Sequence, residues 1–353
     1  MLSLFKNKKS IPTVRYAEIN GERVEVQPKE TLLHAALREN INFPHSCRVG
    51  GCASCKCRLV SGKVKELTDI GYILSEEELD QGYILACQSI PQSDVTIEVD
   101  LSAQAQRKKV AGKVVLQEHL THDITHLKIQ LGEALNYKAG QYADLSIDSL
   151  PGVVRSYSFA APVQHDSSVS FFIRKVPAGL FSVEINEKDL TGQLIQLDGP
   201  AGDFWLRQSD APMILIAGGS GLAPILAILW NALNEGCQRS VTLLFGAQTQ
   251  ADLYALDQIS EIKEKWPARF EFIPVLSSED EHSSWGGARG LVTETIPTLK
   301  LQGAEAYLCG PPAMIDAAER LLIVGGIERK NIHADRFITL ADANKGVAAE
   351  QVN

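Results

Sequence analysis

Thirteen residues of this 353-residue chain, HSCRVGGCASCKC at 45–57, hold four of its seven cysteines. Cys47, Cys52 and Cys55 stand as C-x4-C-x2-C, and Cys87 follows after a gap of 31 residues. Three thiolates on one loop with a distant fourth have the spacing that holds a [2Fe-2S] cluster. Gly50 and Gly51 let the backbone come close to inorganic sulfide, where its N–H groups can hydrogen-bond and tune the potential. Zinc is the competing occupant, although zinc ribbons and fingers favour two close cysteine pairs over a lone fourth ligand. Cys57 lies two residues past Cys55 and would share its face in a strand. It reads as a small buried hydrophobe rather than a ligand.

A second set of residues suits nucleotides. In RSYSFAAP, residues 155–162, Arg155 offers a permanent cation, Tyr157 a flat aromatic and Ser158 a hydroxyl. These suit a phosphate, a stacking ring and the edge of a flavin. FFIRKVPAGLFS ends with Gly179 and Ser182, and a glycine turn opening a short helix presents backbone N–H groups to a pyrophosphate. Each stretch alone also reads as an ordinary surface strand or turn. MILIAGGSGLAPILAIL sets Gly218, Gly219, Ser220, Gly221 and Pro224 between an apolar strand and a helix, without matching the dinucleotide fingerprint GxGxxG. EAYLCGPPAM brings Cys309, Gly310, Pro311 and Pro312 after another apolar run. Cys309 there is either a participant in chemistry or a buried structural thiol.

The elements that must position these groups show in the hydrophobic pattern. VEVQPKETLLHAALREN reads as an alternating strand, a cap at Thr31 and an amphipathic helix through Leu32, Leu33, Ala36 and Leu37. KCRLVSGKVKEL reads as a hairpin turning at Ser61 and Gly62, and DVTIEVD as a closing strand. Residues 101–108 are polar and aperiodic, the pattern of a linker. From Val110, AGKVVLQEHL, ITHLKIQL and YADLSI are short alternating strands, which suggest a closed antiparallel barrel. The last third alternates strand and helix, the pattern of a doubly wound parallel sheet with nucleotide sites at the carboxyl ends of its strands.

Composition narrows the class. With 34 Lys and Arg against 43 Asp and Glu the formal charge is −9. Nucleic acid is therefore not an expected partner, because phosphate binding needs clustered cations, whereas a basic docking surface on another protein suits it. Residues 213–230 carry no charge over a length that could flag a membrane helix. Gly218, Gly219, Gly221 and Pro224 interrupt them, so the expectation is a buried strand, a turn and a helix started by proline, with no membrane span. MLSLFKNKKS has basic residues but no apolar run after them, unlike a secretory signal. A reducing cytoplasm is the expected compartment, and crowded cysteines there point to metal or redox chemistry rather than disulfides. The acidic run SEEELD at 75–80 reads as a solvated helix face, with docking as its alternative use. His119, His122 and His126 read as exposed positions on a turn, and neither a 2-His-1-carboxylate set nor the two ExxH motifs of a di-iron centre are found. The final electron acceptor is then another protein.

Residues 10–340 resemble the NADH-dependent reductase components of multicomponent oxygenases, built on the ferredoxin-NADP reductase superfamily with a fused ferredoxin. CRVGGCASCK with GYILACQ, and YLCGPPAMI with IHADRF, are most similar to the toluene and xylene monooxygenase reductases. The resemblance implies a plant-type ferredoxin domain of α+β, β-grasp fold over 1–100, then the linker 101–108. It implies a six-stranded antiparallel β-barrel FAD domain over 109–207, leaving through LDGPAGDFWL, an α/β doubly wound NAD domain over 208–340, and a flexible tail over 341–353. Cys47, Cys52, Cys55 and Cys87 are then the cluster ligands. Arg155, Tyr157 and Ser158 contact the flavin, and Gly179 with Ser182 covers its pyrophosphate. Gly218, Gly219, Ser220, Gly221 and Pro224 take the pyridine-nucleotide pyrophosphate, while Cys309, Gly310 and Pro311 lie near the nicotinamide. Phe337 lies near the flavin ring, and its neighbours Asp335 and Arg336 read as a strand-end cap. Ser158, Cys309 and Phe337 are the catalytic candidates.

NADH is expected over NADPH, because Gln248 and Thr249 in LLFGAQTQADLY supply no cation for a 2′-phosphate. Arg289 or a lysine folding in from elsewhere would reverse that. A nicotinamide gives electrons in pairs, a [2Fe-2S] cluster takes them singly, and a flavin can stand between. The implied protein is a monomeric reductase passing electrons from NADH through FAD and the cluster to an oxygenase component or a small ferredoxin. The expected partner is a di-iron monooxygenase of aromatic or alkyl-aromatic substrates. The alternatives are a ring-hydroxylating dioxygenase, a deoxysugar dehydratase of the CDP-glucoseen type, and a non-catalytic iron–sulfur carrier with a decayed flavin domain. The intact Arg155, Tyr157, Ser158 set stands against the last.

Overall fold

A computed structural model of the chain describes residues 14–41, 43–45, 50, 54–68, 70, 73–74, 76–100 and 107–337. Cys47, Cys52 and Gly51, nearly all of the expected linker and the expected tail lie outside these residues. The chain divides into two compact units between Ala105 and Gln106.

The first unit runs β1 (Arg15–Ile19), β2 (Glu22–Val26), α1 (Leu32–Arg38), β3 (Lys56–Ser61), β4 (Val64–Glu66), α2 (Glu76–Asp80), β5 (Tyr83–Leu85), β6 (Ser89–Pro91) and β7 (Val95–Glu98). Five strands form one sheet in the order β2-β1-β7-β3-β5. Thr31 caps α1 by accepting the His34 N–H at 3.3 Å, and the helix buries Leu32, Leu33, Ala35 and Ala36 in one core with Ile19, Val24 and Ile97. One expectation is corrected. Strands β3 and β4 do not form a hairpin at Ser61 and Gly62; β4 pairs with β6 in a separate ribbon. Gly62 has φ +94° and a Cβ there would lie 2.3 Å from the Asp94 carbonyl, so the turn packs onto the start of β7 and leaves the sheet. Strand β7, the expected closing strand and the last of this unit, pairs with β1 on one side and β3 on the other. The acidic run forms α2, whose Glu78 pairs with Lys56 at 2.5 Å.

In the second unit β8 (Lys108–His119), β9 (Ile124–Leu131), β10 (Tyr142–Ile147), β11 (Arg155–Ser158), β12 (Ser168–Arg174), α3 (Leu180–Glu187) and β13 (Leu194–Ala201) come first. The strands follow the order β11-β10-β13-β8-β9-β12, and a bridge from Phe159 to Phe171 brings the two edges together. The result is a nearly closed barrel with Phe159, Phe171, Leu127 and Leu145 inside. The three histidines are not all exposed turn residues. His126 is half-buried in β9, edge-on to Phe172, and burial lowers its pKa. His119 and His122 are exposed, with Nδ1 of His119, at the end of β8, 3.0 Å from the Thr125 hydroxyl.

The chain continues through β14 (Met213–Gly218), α4 (Leu222–Asn234), β15 (Val241–Ala247), α5 (Leu256–Lys265), β16 (Phe270–Leu276), β17 (Ala288–Arg289), β18 (Glu305–Gly310), α6 (Pro312–Val324) and β19 (Ile332–Arg336). These strands are parallel in the order β17-β16-β15-β14-β18-β19. All six residues of β14 are buried, as a central parallel strand covered on both faces requires. The uncharged run at 213–230 is therefore a buried strand and helix. Helix α4 starts at Leu222, not at proline, and Pro224 sits in its first turn, where no intrahelical N–H is needed. Among the described residues no helix is long and apolar enough to cross a membrane.

Candidate functional site

The direction of strand order reverses between β14 and β18, which makes their carboxyl ends the switch point where open α/β sheets bind ligands. The two glycine-containing loops meet there. A Cβ on Gly221 would lie 2.2 Å from the Cys309 carbonyl oxygen, so only a glycine lets the first loop rest on the second. Gly221 precedes α4 without a side-chain cap, leaving the helix N-terminus to an anion. The Tyr254 hydroxyl donates to the Gly219 carbonyl at 2.9 Å and fixes the loop from below.

Three distant motifs converge beside this loop. Ser158 at the end of β11 is 6% exposed, and its hydroxyl lies 3.4 Å from Asp335 Oδ2. The Cys309 sulfur, fully buried, lies 4.0 Å from the same oxygen. Burial, with the Asp335 carboxylate adding to it, holds the Cys309 thiol well above its usual pKa, so its proton stays on. Asp335 reaches this place because β19 pairs with β18 in a register that sets it opposite Cys309. It is more than the strand-end cap expected of it. The Phe337 N–H donates to the Gly310 carbonyl at 2.9 Å, and Phe337 packs against the core cluster that contains Ala217, Leu222 and Cys309.

On the barrel side, the Arg155 guanidinium bonds only the neighbouring Val154 carbonyl, at 2.7 Å, and makes no ion pair among the described residues. The Tyr157 ring lies 5.6 Å from that of Phe181 in the first turn of α3. Gly179 caps that helix without a side-chain hydrogen bond. The Ser182 hydroxyl accepts the Val176 N–H at 3.0 Å and so closes the turn. An unpaired guanidinium on β11 and an uncapped helix start at Gly179 are each donors suited to a flavin nucleotide's phosphates.

At the end of β15, Thr249 caps a short turn through Asp252. Both the backbone and the side chain of Gln250 donate to Glu279, at 2.8 and 2.7 Å. Arg289 bonds the Asp280 carbonyl and the Ser283 hydroxyl, near enough to Glu279 for its charge to help lower that carboxyl's pKa. The second strand thus ends among carboxylates, a signal that reading its own residues alone did not reveal.

In the first unit, Cys55 and Cys87 are 3% and 5% exposed. The Cys87 N–H points at the Cys55 sulfur, 3.5 Å away. The other two predicted ligands, Cys47 and Cys52, lie outside the described residues. Cys57 is 1% exposed, and burial, with a contribution from Cys87, pushes its thiol up. It remains a neutral hydrophobe, as its position in β3 suggested. A pair of buried thiols with an amide donor to sulfur is the donor chemistry of an iron–sulfur site.

Three family models match the chain: a 2Fe-2S iron–sulfur cluster binding domain over residues 17–92, an oxidoreductase FAD-binding domain over 111–205 and an oxidoreductase NAD-binding domain over 215–320. The chain is 43% identical over 320 residues to the xylene/toluene monooxygenase electron transfer component of Pseudomonas putida, covering 90% of this chain and 91% of that protein. It is 35% identical over 338 residues to the reductase component of a phenol 2-monooxygenase from a Pseudomonas species, covering 92% and 94%. Among solved structures, the Amycolatopsis cytochrome P450 reductase is similar at 31% identity and a TM-score of 0.70, over 92% of this chain and 98% of that one.

Proposed function

The chain belongs to the family of NADH-dependent flavin and iron–sulfur reductase components of oxygenase systems, and we propose that it supplies electrons to a di-iron monooxygenase acting on alkyl-aromatic hydrocarbons. The observation that carries the partner assignment is the 43% identity with the xylene/toluene monooxygenase component. The cofactors of the family are a [2Fe-2S] cluster, FAD and NAD. When bound, a flavin exchanges electrons in pairs with a nicotinamide and singly with a cluster, which joins the two chemistries.

The residues divide the work. Arg155 and the α3 N-terminus at Gly179 hold the flavin phosphates, with Ser182 shaping the turn and Tyr157 offering its ring. Gly218, Gly219, Ser220 and Gly221 hold the dinucleotide pyrophosphate at the start of α4, where Pro224 stiffens the first turn. Cys309, Gly310 and Pro311 form the wall at the nicotinamide, and Phe337 closes it. Ser158 and Cys309 present a hydroxyl and a protonated thiol, both oriented by Asp335. The carboxylates Asp252 and Glu279 oppose a 2′-phosphate, which favours NADH. Cys47, Cys52, Cys55 and Cys87 hold the cluster, from which the partner draws electrons directly.

Anaerobic addition of NADH to the purified protein should bleach flavin and iron–sulfur absorbance together. Mixed with NADH and a di-iron alkyl-aromatic hydroxylase, the protein should support product formation that an added small ferredoxin does not increase. Faster turnover with a ring-hydroxylating dioxygenase component would move the partner to that class.

A further inference from the structure

We infer that Gln88 is a positioning residue for the ligand Cys87: its side-chain amide donates to the Cys87 sulfur and raises the reduction potential of the cluster. This rests on the cluster assignment proposed above. Gln88 is 6% exposed, an unusual place for an amide unless both its ends are bonded. Its Nε2 lies 3.6 Å from Cys87 Sγ and 3.2 Å from the Cys87 carbonyl. Its Oε1 accepts the Thr68 hydroxyl at 3.3 Å, which fixes the orientation of the amide, with oxygen toward Thr68 and nitrogen toward sulfur.

The surroundings leave the side chain little freedom. Gly50 of the cysteine loop has φ +81°, and a Cβ there would lie 2.7 Å from Gln88 Cγ, so loop backbone rests directly on the amide stem. The Leu67 N–H donates to the Gln88 carbonyl at 2.8 Å and holds the backbone. The donor to Cys55 is a backbone N–H, which no side-chain substitution removes. The donor to Cys87 is a side chain, which selection can change. A hydrogen bond to a ligand sulfur stabilises the more negative, reduced cluster over the oxidised one, so losing it lowers the potential. A neutral amide does this without titrating.

The test is an anaerobic redox titration of the full-length, cofactor-loaded protein, read by electron paramagnetic resonance of the cluster. Gln88→Leu, Gln88→Glu and Thr68→Val are compared with the parent. In Gln88→Leu the one-electron equilibrium should shift about tenfold toward the oxidised form, roughly 59 mV. In Gln88→Glu, where a carboxylate replaces the donor, it should shift further. In Thr68→Val, where the donor stays but its orientation loosens, the shift should be smaller with the same sign. If Gln88→Leu does not assemble its cluster, the signs in Gln88→Glu and Thr68→Val decide. An unchanged or raised potential in cluster-loaded variants overturns the inference. A parent protein with no [2Fe-2S] signal overturns the cluster assignment instead.

Discussion

The sulfur corner of the first unit and the switch point of the second handle electrons by different means. At the corner the groups bonded to the buried sulfurs of Cys55 and Cys87 include a backbone N–H and the Gln88 amide, neither of which titrates. At the switch point a carboxylate, Asp335, stands between the Ser158 hydroxyl and the Cys309 thiol. A site that takes one electron gains a negative charge and needs fixed dipoles to stabilise it. A hydride brings its own hydrogen, and a proton must be held or moved when its two electrons leave singly, so groups that hold a proton suit that site. Among the described residues, neutral donors thus stand at the Cys55 and Cys87 sulfurs and an acid at the carboxyl ends of β18 and β19.

The largest expected effect breaks one arm and spares the other. Cys87→Ser should reduce NADH-driven reduction of cytochrome c, a one-electron acceptor, by at least about 100-fold, since even outer-sphere changes at metal sites cost 10–100-fold. Stopped-flow reduction of the flavin by NADH should persist, and its loss in the same variant would mean that the arms are not separable. Gly221→Ala does the reverse. Its Cβ would meet the Cys309 carbonyl at 2.2 Å, forcing the two loops apart at a strain of about 1–3 kcal/mol. Misplacement on the order of 1 Å should slow flavin reduction by up to about 100-fold, leaving the cluster's resonance spectrum intact.

The two arms also differed in how far the sequence exposed them. The cysteine spacing, the Thr31 cap and the alternating barrel strands are local patterns, and each was legible because its physics acts within a few residues. Asp335 was not, since its role depends on β19 lying beside β18 in a register that sets it opposite Cys309. Glu279 escaped for the same reason, being 29 positions from the Gln250 that donates to it. The hairpin at Gly62 failed because a turn residue signals that the chain bends but not which strand it meets afterwards. The burial of His126 against Phe172 likewise follows from barrel closure rather than from neighbours in sequence.

Asp335→Asn sharpens the comparison at intermediate size. The amide keeps shape and polarity but removes the charge that orients Ser158 and Cys309. Flavin reduction by NADH should slow about tenfold, below the range typical of direct proton-transfer groups because Asp335 acts through its neighbours. The cluster potential should not move, and a shift there would erase the proposed division between a site built around a carboxylate and one whose described sulfur donors are neutral.

The smallest effect concerns which nucleotide the acid-rich side accepts. Hydrogen bonds from Gln250, side chain first and then backbone, hold the Glu279 carboxyl below its usual pKa, so its charge is present throughout the neutral range. Arg289 bonds the Asp280 carbonyl and Ser283 and its charge also helps to lower the Glu279 pKa, so it offsets only part of the carboxylate's repulsion of a 2′-phosphate. Glu279→Gln should therefore raise kcat/KM for NADPH relative to NADH by about threefold, the modest effect of an exposed charge in water. The gain should shrink as salt is added, since a Debye length of about 10 Å at 0.1 M already screens such charges. It should also be flat across neutral pH, because lowering the carboxyl pKa moves its titration away from that range. A gain that appears only on acidification would place the discriminating charge on a group other than Glu279.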